Sequence, residues 1–354
     1  MSGGAQRTID VRAEDSFDLV ALAQWMQSQE IIYVGHLAAL QFKGGASNLT
    51  YLISDSAGNQ WVMRTPPHGV KAASAHDMGR EARVLTALSP HLDQAPRVLG
   101  YCSDVSVLGR EFYLMEFIAG YILAQDIPVE LCPDPVSVQS LCESMVDSLA
   151  ALHQVDIHAT GLAELDKGPG YVNRQVTGWS KRYRAARTPD VPDAEVVMQW
   201  LASHQPADVG HVLIHGDWRF DNLVVNDNAE IIGILDWEMS TVGDPCMDLG
   251  SALAYWVQAD DDPAFRSLRM QPTDSPGMLT RSEVVQRYSQ AMPVEVRTAL
   301  AENWKFYEVF GLFRLAVIVQ QIWARYSSGA TTNQQFAGFG AAATMLISRA
   351  ESLI

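Results

Sequence analysis

Paired cysteines are missing from this sequence. Cys102, Cys132, Cys142 and Cys246 are scattered and form no C-x-x-C pair, so the expected state is reduced thiols in a cytoplasmic protein. Positive charge is also short. With 25 Lys and Arg against 41 Asp and Glu, the formal net charge is −16, which argues against general nucleic-acid binding. The longest apolar runs are broken by charge or too short to span a bilayer, and no basic-plus-apolar leader opens the chain. No membrane partner is expected. Internal repeats and low-complexity tracts are lacking too.

What is present suits a soluble enzyme. At 354 residues, 48% hydrophobic and 19% charged, the chain can form two lobes around a large core. Its most informative stretch is VLIHGDWRFDNLVVNDNAEIIGILDWEMSTVGDPCMDLG, from residue 212 to 250. Short apolar strands are expected at 212–214, 223–225 and 231–235, separated by polar turns. Asp217 falls in the loop opened by His215-Gly216, Asn222 lies five residues on, and Asp236 stands at the exit of the third strand.

Phosphoryl transfer needs groups of this kind. The group in flight spreads negative charge, so a protein contributes position and cations more than covalent help. A carboxylate beside an acceptor hydroxyl can orient it and take its proton, the role read for Asp217. Mg²⁺ keeps several waters, and one carboxylate with one amide suffices beside the phosphates; Asp236 and Asn222 fit that pair. Asp and Asn in turns are ordinarily capping residues, and His-Gly-Asp alone would say little. The three together, each framed by strand-like runs, say more. Asp248 reads as structural, an N-cap or loop anchor for a helix beginning near Met247.

The pattern H-G-D-x-x-x-x-N, followed by a strand ending I-L-D-W-E, resembles the catalytic and metal loops of the protein-kinase-like fold. Its His-Gly-Asp form resembles the aminoglycoside phosphotransferase and choline kinase branch. That resemblance implies an α+β, two-lobed protein-kinase-like fold, with a small β-rich N-lobe at 1–118 and a larger, mostly helical C-lobe at 119–354. It also implies ATP and Mg²⁺ as cofactors.

Taken in order, residues 1–15 read as a loose leader, and Ser16 as the N-cap of a helix carrying Phe17, Val20 and Trp25. Strands are expected at 40–42, 49–53 and 61–64. The first two bracket KGGASN, where Gly44, Gly45, Ser47 and Asn48 could cover a triphosphate with backbone amides; a plain hairpin turn is the alternative. The resemblance puts Arg64 where the fold usually carries a phosphate-contacting lysine, a departure that keeps the charge but brings a bulkier, forked group. Glu81, on a helix expected at 75–88, is its natural partner; otherwise it is a solvated helix-face charge. Strands at 97–101 and 111–117 follow, the second ending MEFIAG. In the resembled fold this is the hinge, with Met115 behind an adenine and backbone groups of Glu116 and Ile118 bonding it. A buried strand and a Gly turn would look the same.

A long helix with one apolar face is expected from Val138 to Leu152, and His153 at its end reads as structural. The stretch from Tyr171 to Arg187 holds Arg174, Lys181, Arg182, Arg184 and Arg187 with no acidic residue, and Val176, Trp179 and Tyr183 at helical spacing. It is either an amphipathic helix with a solvated basic face or a basic wall for a phosphate-bearing substrate, contacted by Arg174, Trp179, Arg182 and Tyr183. Helices are expected at 248–257, 281–291, 294–326 and 334–352, and Asp260, Asp261 and Asp262 read as a solvated loop rather than a metal site.

Six pieces narrow the resemblance: GGASNLTYLI, WVMRTPP, SVLGREFYLMEFIAG, RQVTGWSKRYRA, HGDWRFDNL and ILDWEMSTVGDPCMDL. Spread from about residue 40 to 250, they are similar to the phosphotransferase-like domain found at the front of certain long acyl-CoA dehydrogenases and as free-standing bacterial proteins. In that branch arginine is normal at the Arg64 position, and the implied acceptor is a 4-hydroxyacyl-CoA. The rival readings are an aminoglycoside or choline-like kinase and a catalytically silent nucleotide binder. Oligomeric state stays open.

Overall fold

A computed structural model describes residues 8–43, 48–67 and 77–354. In chain order the elements are β1 (Thr8–Asp10), α1 (Leu19–Ser28), β2 (Ala38–Phe42), β3 (Leu49–Ser54), β4 (Gln60–Thr65), α2 (Met78–Leu88), β5 (Val98–Cys102), α3 (Val105–Leu108) and β6 (Phe112–Glu116). There follow α4 (Pro135–Leu152), α5 (Tyr171–Ala186), α6 (Glu195–Ser203), β7 (Val212–Ile214), β8 (Leu223–Val225), β9 (Ile231–Ile234), β10 (Thr241–Gly243) and α7 (Pro245–Leu253). The last are α8 (Pro263–Arg266), α9 (Arg281–Ala291), α10 (Val294–Ser327) and α11 (Phe339–Ser352). The class is α+β. Two compact units form: residues 1–122 with 222–238, and residues 123–221 with 239–354. The hairpin that follows Asp221 thus belongs with the N-terminal strands, beside the division at 118 and 119 expected from sequence.

The first unit is built on a six-stranded antiparallel sheet, ordered β1-β2-β3-β4-β6-β5. Over residues 8–15, β1 and the short helical turn at Ala13–Asp15 correct the expected loose leader, whose residues 1–7 lie outside the described residues. β1 pairs with β2, and Asp15 is buried where it accepts from the Gln41 amide at 2.9 Å. α1 is capped by Asp18, whose carboxylate takes the N–H groups of Val20 and Ala21; Ser16 instead donates its hydroxyl to the Ala13 carbonyl. Asp wins because its oxygen reaches both orphan amides of the first turn. Leu22, Trp25 and Met26 of α1 pack into a core with Tyr51, Ile53, Met63 and Phe112. The β8–β9 hairpin also joins this unit, through paired hydrogen bonds of 2.8 Å between Tyr121 and Val225 and through Gln94, which bonds the main chain of Ile231 and Ile234.

The second unit is helical around the short antiparallel pair β7–β10. α10 has 34 residues and bends where Asn303 leaves helical geometry. By length and composition it is apolar enough to cross a membrane, contrary to the reading that no run was; within the protein 61% of its apolar window is buried, as in a core helix. It packs on α5, α7 and α11. Against α7 the approach is set by glycine, because a Cβ on Gly311 would overlap the Gly250 carbonyl and one on Gly250 the Tyr307 carbonyl. α7 starts at Pro245 under an Asp244 cap, earlier than expected, so Asp248 lies inside the helix and does not cap it. The expected 334–352 helix is split into a 3-10 turn at Gln334–Phe336 and α11.

Candidate active site

The first unit gathers most of the residues read as nucleotide-facing. Arg64, on β4, is buried, and its guanidinium forks. Nη1 donates to Glu81 Oε1 at 2.6 Å and Nη2 to Asp236 Oδ1 at 3.0 Å. Glu81 lies in the first turn of α2, which Asp77 caps, and also accepts the Trp237 N–H at 3.2 Å. Burial disfavours charge on Arg64, yet the Glu81 and Asp236 carboxylates hold it protonated, well above its ordinary range. Burial pushes the Glu81 carboxyl up, and Arg64 pulls it back only in part. Tyr113 faces the same spot from β6, in register with Arg64; burial, then the Glu81 charge, keep its phenol neutral.

Asn222 and Asp236 are brought together by the hairpin. Leu223 pairs with Ile234, and the Asn222 carbonyl accepts the Leu235 N–H at 2.8 Å, so both residues leave the same end of the β8–β9 ladder. Asp236 has φ +63°, a left-handed backbone uncommon outside glycine, asparagine and aspartate. Among the described residues no three His, Cys, Asp or Glu side chains are grouped to hold a metal by themselves. One amide and one carboxylate at the same end of a hairpin would suit an Mg²⁺ ion that takes its other oxygens from phosphates and water.

The remaining nucleotide candidates divide. Gly44, Gly45 and Ser47 lie outside the described residues. Asn48 is buried and donates to Glu238 Oε2 at 3.0 Å. Met115 is buried in β6, paired with Val62 and Val98. The Glu116 N–H is engaged by the Arg97 carbonyl at 3.0 Å, whereas the Ile118 backbone makes no hydrogen bond among the described residues.

The second unit carries Asp217. Its loop leaves β7, and Gly216 (φ +80°) is obligatory there, since a Cβ would come within 2.8 Å of the Met239 carbonyl. Asp248 accepts the N–H groups of His215 and Gly216, each at 3.0 Å, which makes it the loop anchor. The Arg314 guanidinium donates to the Gly216 carbonyl. His153 is structural, as expected: its Nε2 lies 3.1 Å from Asp248 and its Nδ1 2.5 Å from the Tyr288 hydroxyl. Burial alone would raise the Asp248 carboxyl, but the His153 hydrogen bond and the loop N–H groups outweigh it and hold it below its usual range.

Around Asp217 the charges are mixed. Arg219 lies 3.4 Å from Asp217 and 3.1 Å from Asp221, with its guanidinium 5.0 Å from the centre of the Tyr255 ring. Burial first, then the Asp217 charge, push the Tyr255 phenol up to about 12.

The four acceptor candidates on α5 fare differently. Tyr183 is fully buried and donates to the Pro192 carbonyl at 2.5 Å, so it offers a substrate nothing. Trp179 is 6% exposed, its indole N–H held by Gln175. Arg182 and Arg314 stack on its ring at 4.5 and 5.2 Å. Arg174 donates to the carbonyls of Gly168 and Pro169 at the start of its own helix. The basic face is also partly neutralised, since Arg184 pairs with Glu195 at 2.7 Å. Elsewhere Asp261, read as solvated, is instead a buried partner of Arg281 and Arg349 at 2.6 and 2.9 Å.

Sequence reasoning missed Arg219, Glu238, Asp208 and Arg314. The first two stand inside the motifs HGDWRFDN and ILDWE, where spacing could have flagged them. Asp208 accepts the N–H groups of Gly170, Tyr171 and Val172, the uncapped start of α5, from 36 to 38 residues away. Arg314 is a lone charge in the apolar run GLFRLAVIV, the one available hint of a buried task.

Known proteins resemble this chain in sequence and in fold. Residues 38–276 match the phosphotransferase enzyme family APH. A mouse protein named acyl-CoA dehydrogenase family member 10 is 38% identical over 83% of this chain, covering 27% of its own length. The chain spans about a quarter to two-fifths of the length of the curated relatives it matches. A Ralstonia eutropha protein named provisionally as an aminoglycoside phosphotransferase superposes with a TM-score of 0.79 at 29% identity, covering 96% of this chain and 98% of that one. At 14% identity a streptomycin- and ATP-bound APH(2")-IIa shares the fold, with a TM-score of 0.56 over 86% of this chain and 90% of that one. Matched over more than half its length, and carrying the same kinase-like fold, this chain belongs to the phosphotransferase enzyme family of the aminoglycoside and choline kinase type.

Proposed function

We propose that this protein is an ATP- and Mg²⁺-dependent kinase that phosphorylates a hydroxyl of a small anionic acceptor, a hydroxyacyl-CoA. The observation that carries the kinase reading is the β8–β9 hairpin end. Asn222 and Asp236 leave the same end of its ladder, with Arg64, the partner of Glu81, 3.0 Å from Asp236. Asn222 and Asp236 would hold Mg²⁺, which when bound neutralises charge on the phosphates. Arg64 contacts the phosphates, and Met115 and the open Ile118 backbone receive the adenine. Asp217, on its pinned loop, orients the acceptor hydroxyl and takes its proton. ATP as donor is further supported by the nucleotide in the name of the APH(2")-IIa complex.

The acceptor class rests on charge. Arg219 and Arg314 stand at the Asp217 loop, and Arg182 adds a third cation on Trp179. Asp217 and Asp221 offset Arg219, but Arg182 and Arg314 on Trp179 suit a phosphate- or carboxylate-bearing acceptor better than a polycationic aminoglycoside. The relatives named acyl-CoA dehydrogenase family members favour a CoA ester. We place the protein in the cytoplasm, acting on small molecules rather than nucleic acid or membrane.

The test is Mg²⁺-dependent ADP release from ATP with 4-hydroxyacyl-CoAs, the matching free hydroxy acids, aminoglycosides and choline. Turnover confined to the CoA esters supports the whole reading. A response to aminoglycosides or choline keeps the kinase and overturns the acceptor. Binding of Mg-ATP with no turnover of any acceptor favours a silent nucleotide binder.

A further inference from the structure

Three carboxylates converge on one guanidinium. Arg64 has Glu81 at 2.6 Å, Asp236 at 3.0 Å and Glu238 at 4.0 Å, the last two on the same nitrogen, Nη2. All three crowd a guanidinium whose side chain is only 10% exposed. Glu238 does not depend on Arg64 for its place. Its Oε2, the oxygen that faces Arg64, accepts from Asn48 at 3.0 Å, and its main-chain carbonyl accepts from Arg80 at 3.1 Å.

From this geometry we propose that Glu238 is a positioning residue, a second seat for the Arg64 guanidinium. The proposal rests on the reading that Asp236 holds Mg²⁺. With a divalent cation held by Asp236, the Arg64 nitrogen now 3.0 Å from that carboxylate would be repelled and would need another acceptor, while Nη1 could stay on Glu81. Glu238 lies 4.0 Å from the same nitrogen, already held by Asn48 and Arg80. The exchange needs a fork. A lysine, with one nitrogen, cannot keep Glu81 and change partners at once, which gives arginine at this position a physical purpose. Without the Glu238 charge, Arg64 stays on Asp236 and competes with the metal.

Calorimetric titration of the full chain with ATP, without and with Mg²⁺, reads this directly and needs no turnover. In Glu238→Gln, Mg-free ATP affinity stays within about twofold of the parent, while the gain in affinity conferred by Mg²⁺ falls by about tenfold. Glu238→Asp, charged but one methylene shorter, keeps part of that gain; Arg64→Lys loses it as Glu238→Gln does. A Mg²⁺ gain in folded Glu238→Gln equal to that of the parent overturns the proposal. Should Glu238→Gln fail to fold, parental behaviour of Glu238→Asp overturns it equally. A parent protein that binds ATP no more tightly with Mg²⁺ than without overturns the metal reading, and the proposal with it.

Discussion

Asp248 accepts the main-chain N–H of Gly216 at 3.0 Å, a bond between residues 32 apart in sequence. The same carboxylate takes the His215 N–H and faces the His153 ring. Replacing Asp248 with Ala leaves these buried donors without an acceptor, a loss of roughly 3–5 kcal/mol for a broken buried charge network. The expected result is a markedly lower melting temperature and turnover reduced at least as much as by changing Asp217 itself. A variant that melts and turns over like the parent would show that the loop is held by other means.

Asp217→Asn should lower turnover by about 10²–10⁴ while leaving nucleotide affinity nearly intact, since the group acts on the acceptor proton. Asp236→Asn should instead weaken Mg²⁺-dependent ATP binding. It is the cleaner probe of charge, because asparagine tolerates the left-handed backbone at φ +63° whereas alanine would add strain. Steady-state kinetics beside nucleotide titration separates the two, and full turnover by either variant sinks the kinase assignment.

Asp208 does for α5 what Gly170, at its N-cap, cannot. Asp208→Ala therefore removes the acceptor of three main-chain N–H groups and should cost about 1–2 kcal/mol of stability. Urea denaturation measures it, and a midpoint unchanged from the parent would assign the helix start to other contacts.

Asp261 sets a pH dependence. Burial pushes its carboxyl up, but the Arg281 hydrogen bond, the Gln258 N–H and the charges of Arg281 and Arg349 outweigh it and leave it below the usual range. A folded-state value below the unfolded one means stabilisation that is complete above pH ~4 and lost as the pH falls through the folded value. Melting temperatures of the parent should fall more steeply below pH 4 than those of Asp261→Asn; parallel curves would contradict this.

Local signals carried much of the architecture. β7, β8 and α9 run as read, because short apolar runs or helix periods there end on polar turns. β1 escaped notice because three residues give too little alternation to register, and only pairing with β2 makes them a strand. Cap positions at Asp18 and Asp244 were misplaced by a few residues, since several acidic or hydroxyl side chains compete near each helix start. In the candidate site, residues joined by one motif were visible. Arg314, Asp208 and the Asn48–Glu238 contact were not, for each acts across a separation of 36 residues or more that no local pattern encodes.

The glycine crossing of α7 and α10 bears on the chemistry. Asp248 stands half a turn before Gly250, and Arg314 about one turn after Gly311. The first grips the N–H of Gly216 and the second its carbonyl. The helix pair is thus a caliper whose jaws hold the Asp217 loop and whose opening is gauged by two missing methyl groups. A single alanine on either arm would widen the jaws and loosen the loop without touching a residue that meets substrate.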